Sequence, residues 1–299
     1  MKKTLTIFTP AYNRADTLPR LYESLIRQSL FDFCWMVIDD GSIDNTEQLV
    51  RSWILNKNPF EIIYIKKENG GLHTAYNCAI ENTETELMMC IDSDDYAPDD
   101  LVEKVLDFWS KYGCDKYAGI VGLDCYFDGT IVGDKLPEQK SVNLIDLLIG
   151  KYNLVNGDRA NVVRTDLYKS VAPQESINGE KNYNPHIMHL KISEKYDFLV
   201  MNENLKFIEY QTDGMSNSIF RQYLNSPNSF LEIRKYYLSL PNISFTFKVK
   251  NIIHYISSSI HAKKKGIIKN CHYKGLAILL FLPGVLFSQY VVYMAKKER

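Results

Sequence analysis

Leu87-Met88-Met89-Cys90-Ile91-Asp92-Ser93-Asp94-Asp95 reads as a short buried strand that runs directly into a turn carrying three carboxylates. An unbroken apolar run closed by a polar turn fits a strand covered on both faces, as in a parallel sheet. Earlier in the chain, Trp35-Met36-Val37-Ile38 is a second such run, and it ends in Asp39-Asp40-Gly41-Ser42. Leu5 to Thr9 is the first strand, with Pro10 expected to end it, and Ile62 to Ile65 is another.

Helical patterns separate these strands. Leu18, Leu21 and Leu25 recur at helical spacing over Thr17 to Gln28, with Asp16 or Thr17 available as a cap. Asp44 followed by Glu47 fits a capping pair opening a helix through Leu49, Val50, Trp53 and Ile54. Gly70-Gly71 precedes a helix from Leu72 to Glu81. Strands alternating with helices predict an α/β fold with a largely parallel sheet. Acidic and glycine residues then gather at the carboxyl ends of strands, where open α/β sheets bind ligands. Beyond Ala118 the pattern loosens, with strands expected near Gly119 to Leu123 and Phe207 to Tyr210; beyond Gly214 the composition turns helical.

Composition excludes several classes. A net charge of −1 and a pI near 6.6 provide no overall attraction to nucleic acid, so no nucleic-acid partner is expected. The six cysteines are never closer than eleven residues apart, which rules out a Cys-x-x-Cys redox or zinc motif. Met1-Lys2-Lys3-Thr4 leads into an apolar run too short for a signal-peptide core, so a cytoplasmic location is expected.

Clustered carboxylates on a tight turn are hard oxygen ligands for Mg²⁺ or Mn²⁺, which makes Asp92-Ser93-Asp94-Asp95 a candidate site for a metal that holds a diphosphate. Taken alone, the segment also reads as a solvated turn leading to the helix near Asp99-Asp100, and Asp39-Asp40-Gly41-Ser42 reads as a simple turn. Gly70-Gly71 either lets backbone amides approach a ligand or is a flexible turn.

The combination decides between these readings. Phe8-Thr9-Pro10-Ala11-Tyr12-Asn13-Arg14, then Val37 to Ser42 with Asp44-Asn45-Thr46, then Asn69-Gly70-Gly71, then Asp92 to Asp95, in that order, resembles glycosyltransferase family 2. The resemblance implies a GT-A fold, a Rossmann-like mixed sheet flanked by helices, here with a helical C-terminal extension. It implies a catalytic domain over 1–215, with a nucleotide-sugar half to about 115 and an acceptor half to about 215, and an extension over 216–299. By the resemblance, Pro10, Ala11, Tyr12, Asn13, Arg14, Asp39 and Asp40 hold the base and ribose, Asp92 with Ser93 reaches the ribose, and Asp94 with Asp95 binds Mn²⁺ or Mg²⁺. The implied activity is inverting transfer of a sugar from a nucleotide-diphosphate sugar, UDP-linked above all, to a glycan or lipid-linked acceptor in polysaccharide biosynthesis.

An inverting displacement needs a general base for the acceptor hydroxyl. The matching region, Asn178-Gly179-Glu180-Lys181-Asn182-Tyr183-Asn184-Pro185-His186, departs from the family pattern: His186 stands where a second glutamate is expected. Glu180 or His186 is therefore the candidate base. Gly157-Asp158-Arg159 resembles the acceptor-lining segment, and Arg159 or Arg164 pairs either a phosphate or a structural carboxylate. Gly275 to Met294 has no charged residue and is broken by Pro283-Gly284; lysines flank it on both sides. That pattern favours peripheral contact with the cytoplasmic membrane face over a span, with packing as a core helix or in a homo-oligomer as the competing reading. Two other functions fit less well. A nucleotidyltransferase would carry a glycine-rich amino-terminal loop, and a degenerate scaffold subunit would not need intact acidic motifs.

Overall fold

In the computed structural model, residues 3–154, 157–209 and 218–298 are described. The chain forms two compact units, the first from residues 1–174 and 188–209 and the second from 175–187 and 210–299. The elements in chain order are β1 (Leu5–Ala11), α1 (Leu18–Ile26), β2 (Phe33–Asp39), α2 (Thr46–Ile54), β3 (Glu61–Lys66), α3 (Leu72–Asn82), β4 (Leu87–Cys90), α4 (Leu101–Tyr112), β5 (Tyr117–Tyr126) and β6 (Ser141–Val142). They continue with α5 (Leu144–Leu148), β7 (Arg159–Arg164), α6 (Thr165–Val171), α7 (His186–Ser193), β8 (Asp197–Ile208), α8 (Ile219–Asn225), α9 (Pro227–Ser239), α10 (Phe245–His261), α11 (Lys274–Leu279) and α12 (Phe281–Lys297).

The strands of the first unit form one mixed sheet in the order β3-β2-β1-β4-β7-β5-β8-β6. β1 to β4 are parallel, as their apolar runs predict. β7 is antiparallel to both β4 and β5, and β8 is parallel to β5. β5 and β8 therefore run in the same sense as β1 to β4. One sheet edge collects the carboxyl ends of β1, β2, β4, β5 and β8 together with the amino end of β7, where Arg159 begins that strand.

Pro10 does not end β1, which continues to Ala11 in register with Asp39. Along a strand, successive amides point to alternate sides. The Phe8 carbonyl accepts from the Ile91 amide on the β4 side, whereas the Ala11 carbonyl accepts from the Asp40 amide on the β2 side. Pro10 thus turns its missing donor towards β4, whose pairing with β1 stops at Cys90, and no ladder bond is lost. Two other expectations also need correction. β5 is longer than Gly119–Leu123, and β8 begins at Asp197; Tyr210 lies outside the described residues. β7 is a strand between segments read only as acceptor lining.

The core of this unit places Trp35, Val37, Leu5, Ile7, Met89 and Ile120 against the buried faces of α1 and α4. Tyr22 stacks on Trp53 at 4.4 Å, and the Trp35 indole donates to Thr9 Oγ1 at 3.0 Å, so the largest core ring has its one polar atom satisfied.

In the second unit α10 packs between α9 and α12. α12 turns Gly284, Ser288, Val291 and Ala295 inward, small residues that let the helices approach closely. A Cβ on Gly284 would lie 2.6 Å from the Ile256 side chain. Gly284→Val is therefore expected to force α12 off α10 and to destabilise the protein by about 1–3 kcal/mol, read as a lower denaturation midpoint; an unchanged midpoint would contradict this packing.

Candidate active site

The loops after β1 and β2 are bonded into one platform. Asn13 adopts a left-handed conformation, φ 53°, which asparagine tolerates. Its amide donates to Ser42 Oγ at 2.9 Å and its Oδ1 accepts from the Ile43 amide at 2.9 Å. The Arg14 amide donates to Thr46 Oγ1 at 2.9 Å, and the Ala15 amide to Asp44 Oδ2 at 3.1 Å. Asp39 is fully buried; it accepts from the Ser42 amide at 2.7 Å and from the Tyr64 hydroxyl. Asp40, also buried, accepts from Lys67 Nζ at 2.5 Å and from the amides of Gly70 and Gly71 at 3.0 and 2.8 Å. Both carboxylates and both glycine amides thus have protein partners that set the loop geometry. Tyr12, by contrast, presents an exposed ring.

The turn after β4 sits at the same edge. Asp92 and Asp94 are half-buried, whereas Ser93 and Asp95 are buried. Burial, reinforced by the Asp92 charge, raises the Asp94 carboxyl above the ordinary carboxylate range, and Arg14 pulls it back. Asp95 turns inward. Its Oδ2 lies 3.0 Å from Lys206 Nζ, which is also 3.5 Å from Asp92 and 3.7 Å from Asp124. Burial pushes Asp95 up to about 8 and Asp124 up to about 6, each against the pull of Lys206. Burial likewise works against the Lys206 charge, but Asp124, Asp95 and Asp92 outweigh it and hold the amine well above its ordinary pKa. The parallel register explains the meeting: Asp124 pairs with Lys206 across β5 and β8, at the edge where β4 delivers its aspartates.

The remaining candidates occupy other settings. Arg159 donates to the carbonyls of Val132 and Asp134 at 2.6 and 2.5 Å, pinning that loop, and the adjacent Asp158 carbonyl accepts from the same guanidinium at 3.0 Å. Arg164 grips Asp166 through two nitrogens at 3.1 and 2.6 Å and pairs with Leu87, at the opposite end of β4 from the aspartates. Arg159 is thus held by backbone carbonyls and Arg164 by a carboxylate. In the second unit Glu180 is buried and its two oxygens accept from the Asn228 amide and side chain at 2.9 and 2.7 Å and from the Ser229 amide at 2.6 Å. It caps the amino end of α9, where unpaired amides and the helix dipole favour an anion. His186 opens α7, half-buried, with its amide on Asn184 Oδ1 at 2.9 Å.

Among the described residues no three His, Cys, Asp or Glu side chains form a metal-holding group. A Mg²⁺ or Mn²⁺ ion that bridges protein and a substrate diphosphate needs only one or two carboxylates. Asp92 and Asp94 fit that demand: they are hard donors and half-open, and burial together with the Asp92 charge raises the Asp94 carboxyl. Asp95, expected beside Asp94 as a ligand, has its carboxylate on Lys206 instead.

Residues 6–151 match the family model described as Glycosyl transferase family 2. This region is a glycosyltransferase family 2 domain. The domain is 33% identical over 107 residues to a chondroitin synthase of Pasteurella multocida, a stretch covering 36% of this chain and 11% of that protein. The chain is 24% identical over 216 residues to the minor teichoic acid biosynthesis protein GgaB of Bacillus subtilis, 71% of this chain and 23% of that one. It therefore spans less than a quarter of either relative. Among solved structures, S. aureus TarS 1-349 in complex with UDP superposes with a TM-score of 0.58 at 17% identity, covering 99% of this chain and 92% of that one. The mannosyltransferase PcManGT from Pyrobaculum calidifontis, solved with GDP-Man and Mn²⁺, gives 0.58 at 14% identity, covering 98% and 85%. These likenesses show the GT-A fold.

Within the first unit the sequence reading missed Lys206, Asp124 and Tyr64. A lysine inside the apolar run Leu205-Lys206-Phe207-Ile208 was the available signal, because a buried cation demands carboxylate partners.

Asp95 and Asp124 titrate above the ordinary 3.8. A carboxyl raised in the folded state stabilises the fold while protonated, so this contribution is full below about pH 4 and is lost as pH rises through about 6 and 8. Stability should fall across that window. Lys206→Met, which strands the buried carboxylates, should cost about 3–5 kcal/mol at neutral pH and much less near pH 4. Denaturant titrations at the two ends check both; a pH-independent deficit would refute the assignment.

Proposed function

We propose that this protein is a metal-dependent, inverting glycosyltransferase that moves a sugar from a nucleotide-diphosphate donor, UDP-linked, to a glycan or lipid-linked acceptor in surface-polysaccharide assembly. The observation that carries the reading is the half-open pair Asp92 and Asp94, set at the same sheet edge as the bonded Asn13–Ser42 platform. Solved proteins of the same fold that hold UDP, UDP-GlcNAc or GDP-Man support a nucleotide-sugar donor. The relatives' roles in teichoic acid biosynthesis and chondroitin synthesis support a polysaccharide product. A cytoplasmic site of action follows from the use of nucleotide sugars.

In this reading the exposed Tyr12 ring stacks on the base, and the loop fixed by Asp39 and Asp40 shapes the nucleoside pocket. Asp94, with Asp92, holds Mn²⁺ or Mg²⁺. Bound there, the ion would neutralise the charge that grows on the departing diphosphate. Lys206 keeps the Asp92–Asp95 turn in place from behind. His186 rather than Glu180 is the candidate base for the acceptor proton, because both Glu180 oxygens are held by α9 donors and an imidazole nitrogen can accept a proton.

Four variants test this. Thermal stability of the wild type with UDP and Mn²⁺ should rise by about 2.7 kcal/mol at a hundredfold excess over the dissociation constant, and both Asp94→Ala and chelator should abolish the rise. His186→Ala should lower kcat by about 10²–10⁴-fold while leaving UDP binding intact. Glu180→Ala should cost about 0.5–2 kcal/mol of stability with kcat of the folded fraction preserved. Full activity in His186→Ala, with loss in Glu180→Gln at unchanged stability, would reverse the assignment of the base.

A further inference from the structure

The net charge of −1 conceals a segregation: between Phe245 and Lys297 there are nine lysines and no aspartate or glutamate. The same segment carries most of the exposed apolar surface of the second unit. Because Gly284, Ser288, Val291 and Ala295 face inward, helical periodicity turns Leu282, Leu286 and Tyr293 to the opposite side, where they are 67%, 61% and 54% exposed. Ile278 and Leu279 of α11 are exposed as well. α12 is thus apolar on both sides, small residues inward and large ones outward, where a helix at a water-facing surface would be polar.

Lysines mark both ends of this outer face. Lys274 lies one turn before Ile278 on α11, and Lys297 Nζ sits 4.6 Å from the centre of the Tyr293 ring. Lys263, Lys264 and Lys265 are exposed on the turn after α10. Glu298, the first acid beyond the segment, is bonded to the amides of Phe220 and Arg221.

We propose that α11 and the outer face of α12 lie flat on a bilayer containing anionic lipid, with the leucines and tyrosines in the acyl boundary and the lysines among the headgroups. Charge selects this occupant over a second copy of the chain. A two-fold contact through this face would oppose lysine to lysine, whereas anionic headgroups neutralise the same charges. The geometry selects attachment over a span: the apolar run breaks at Leu280 between α11 and α12, and among the described residues no helix is long and apolar enough to cross a membrane. The inference stands on this face alone and does not depend on the donor or the metal.

The test is co-sedimentation of the full chain with vesicles of phosphatidylcholine alone and of phosphatidylcholine mixed with phosphatidylglycerol. Binding to the mixed vesicles, weakened by salt and absent from the neutral ones, is expected. Leu282→Ser and Leu286→Ser, exposed positions whose exchange leaves the fold intact by circular dichroism, should each weaken binding by about tenfold. Lys263→Glu with Lys264→Glu should shift the salt dependence. No binding to mixed vesicles, or a concentration-dependent dimer in sedimentation equilibrium that Leu286→Ser dissolves, would overturn the proposal.

Discussion

One buried ammonium group organises the acidic sheet edge of the first unit. Lys206 of β8 lies among Asp92 and Asp95 of the turn after β4 and Asp124 of β5, segments distant in sequence and brought together by strand register. A charge in that setting is sustained only while its partners are present, and the partners only while it is. The cluster therefore couples the position of the turn after β4 to the far half of the sheet. The turn that leaves Asp92 and Asp94 half-open is held in place through Asp95, buried against Lys206.

A similar economy governs the neighbouring loops. Asp39 and Asp40 look like ligand-binding carboxylates in the sequence, yet each is spent on backbone amides and neighbouring side chains. They fix the shape of Ser42 and of the Gly70-Gly71 loop, and Ser42 in turn holds the Asn13 amide. Gly41, at φ 81°, could not carry a side chain there, since a Cβ would lie 2.9 Å from the Asn69 amide nitrogen. Burial separates these side chains: Asp39, Asp40 and Asp95 lie inside, and Tyr12, Asp92 and Asp94 remain accessible.

The second unit shows the same logic in an apolar medium. Small residues on α12 bring it close to α10, and this leaves the larger residues no place but the outside. Neither hydropathy nor charge balance over the whole chain reveals such a surface, because the acidic first unit cancels the basic second one in the total.

How much the sequence determined follows from which forces are local. Periodicity and turn chemistry act over a few residues, so β1 to β4, their intervening helices and the acidic turns at strand ends were legible, and four motifs in fixed order were enough to indicate the family. What the sequence could not determine was pairing across long separations. That Asp95 meets Lys206, that Glu180 meets the α9 amides, and that Pro10 could continue a strand past the end of β4 all depended on neighbours roughly 50 to 110 residues away. A carboxylate carries the same charge in either role. Only the fold decides which donor reaches it first.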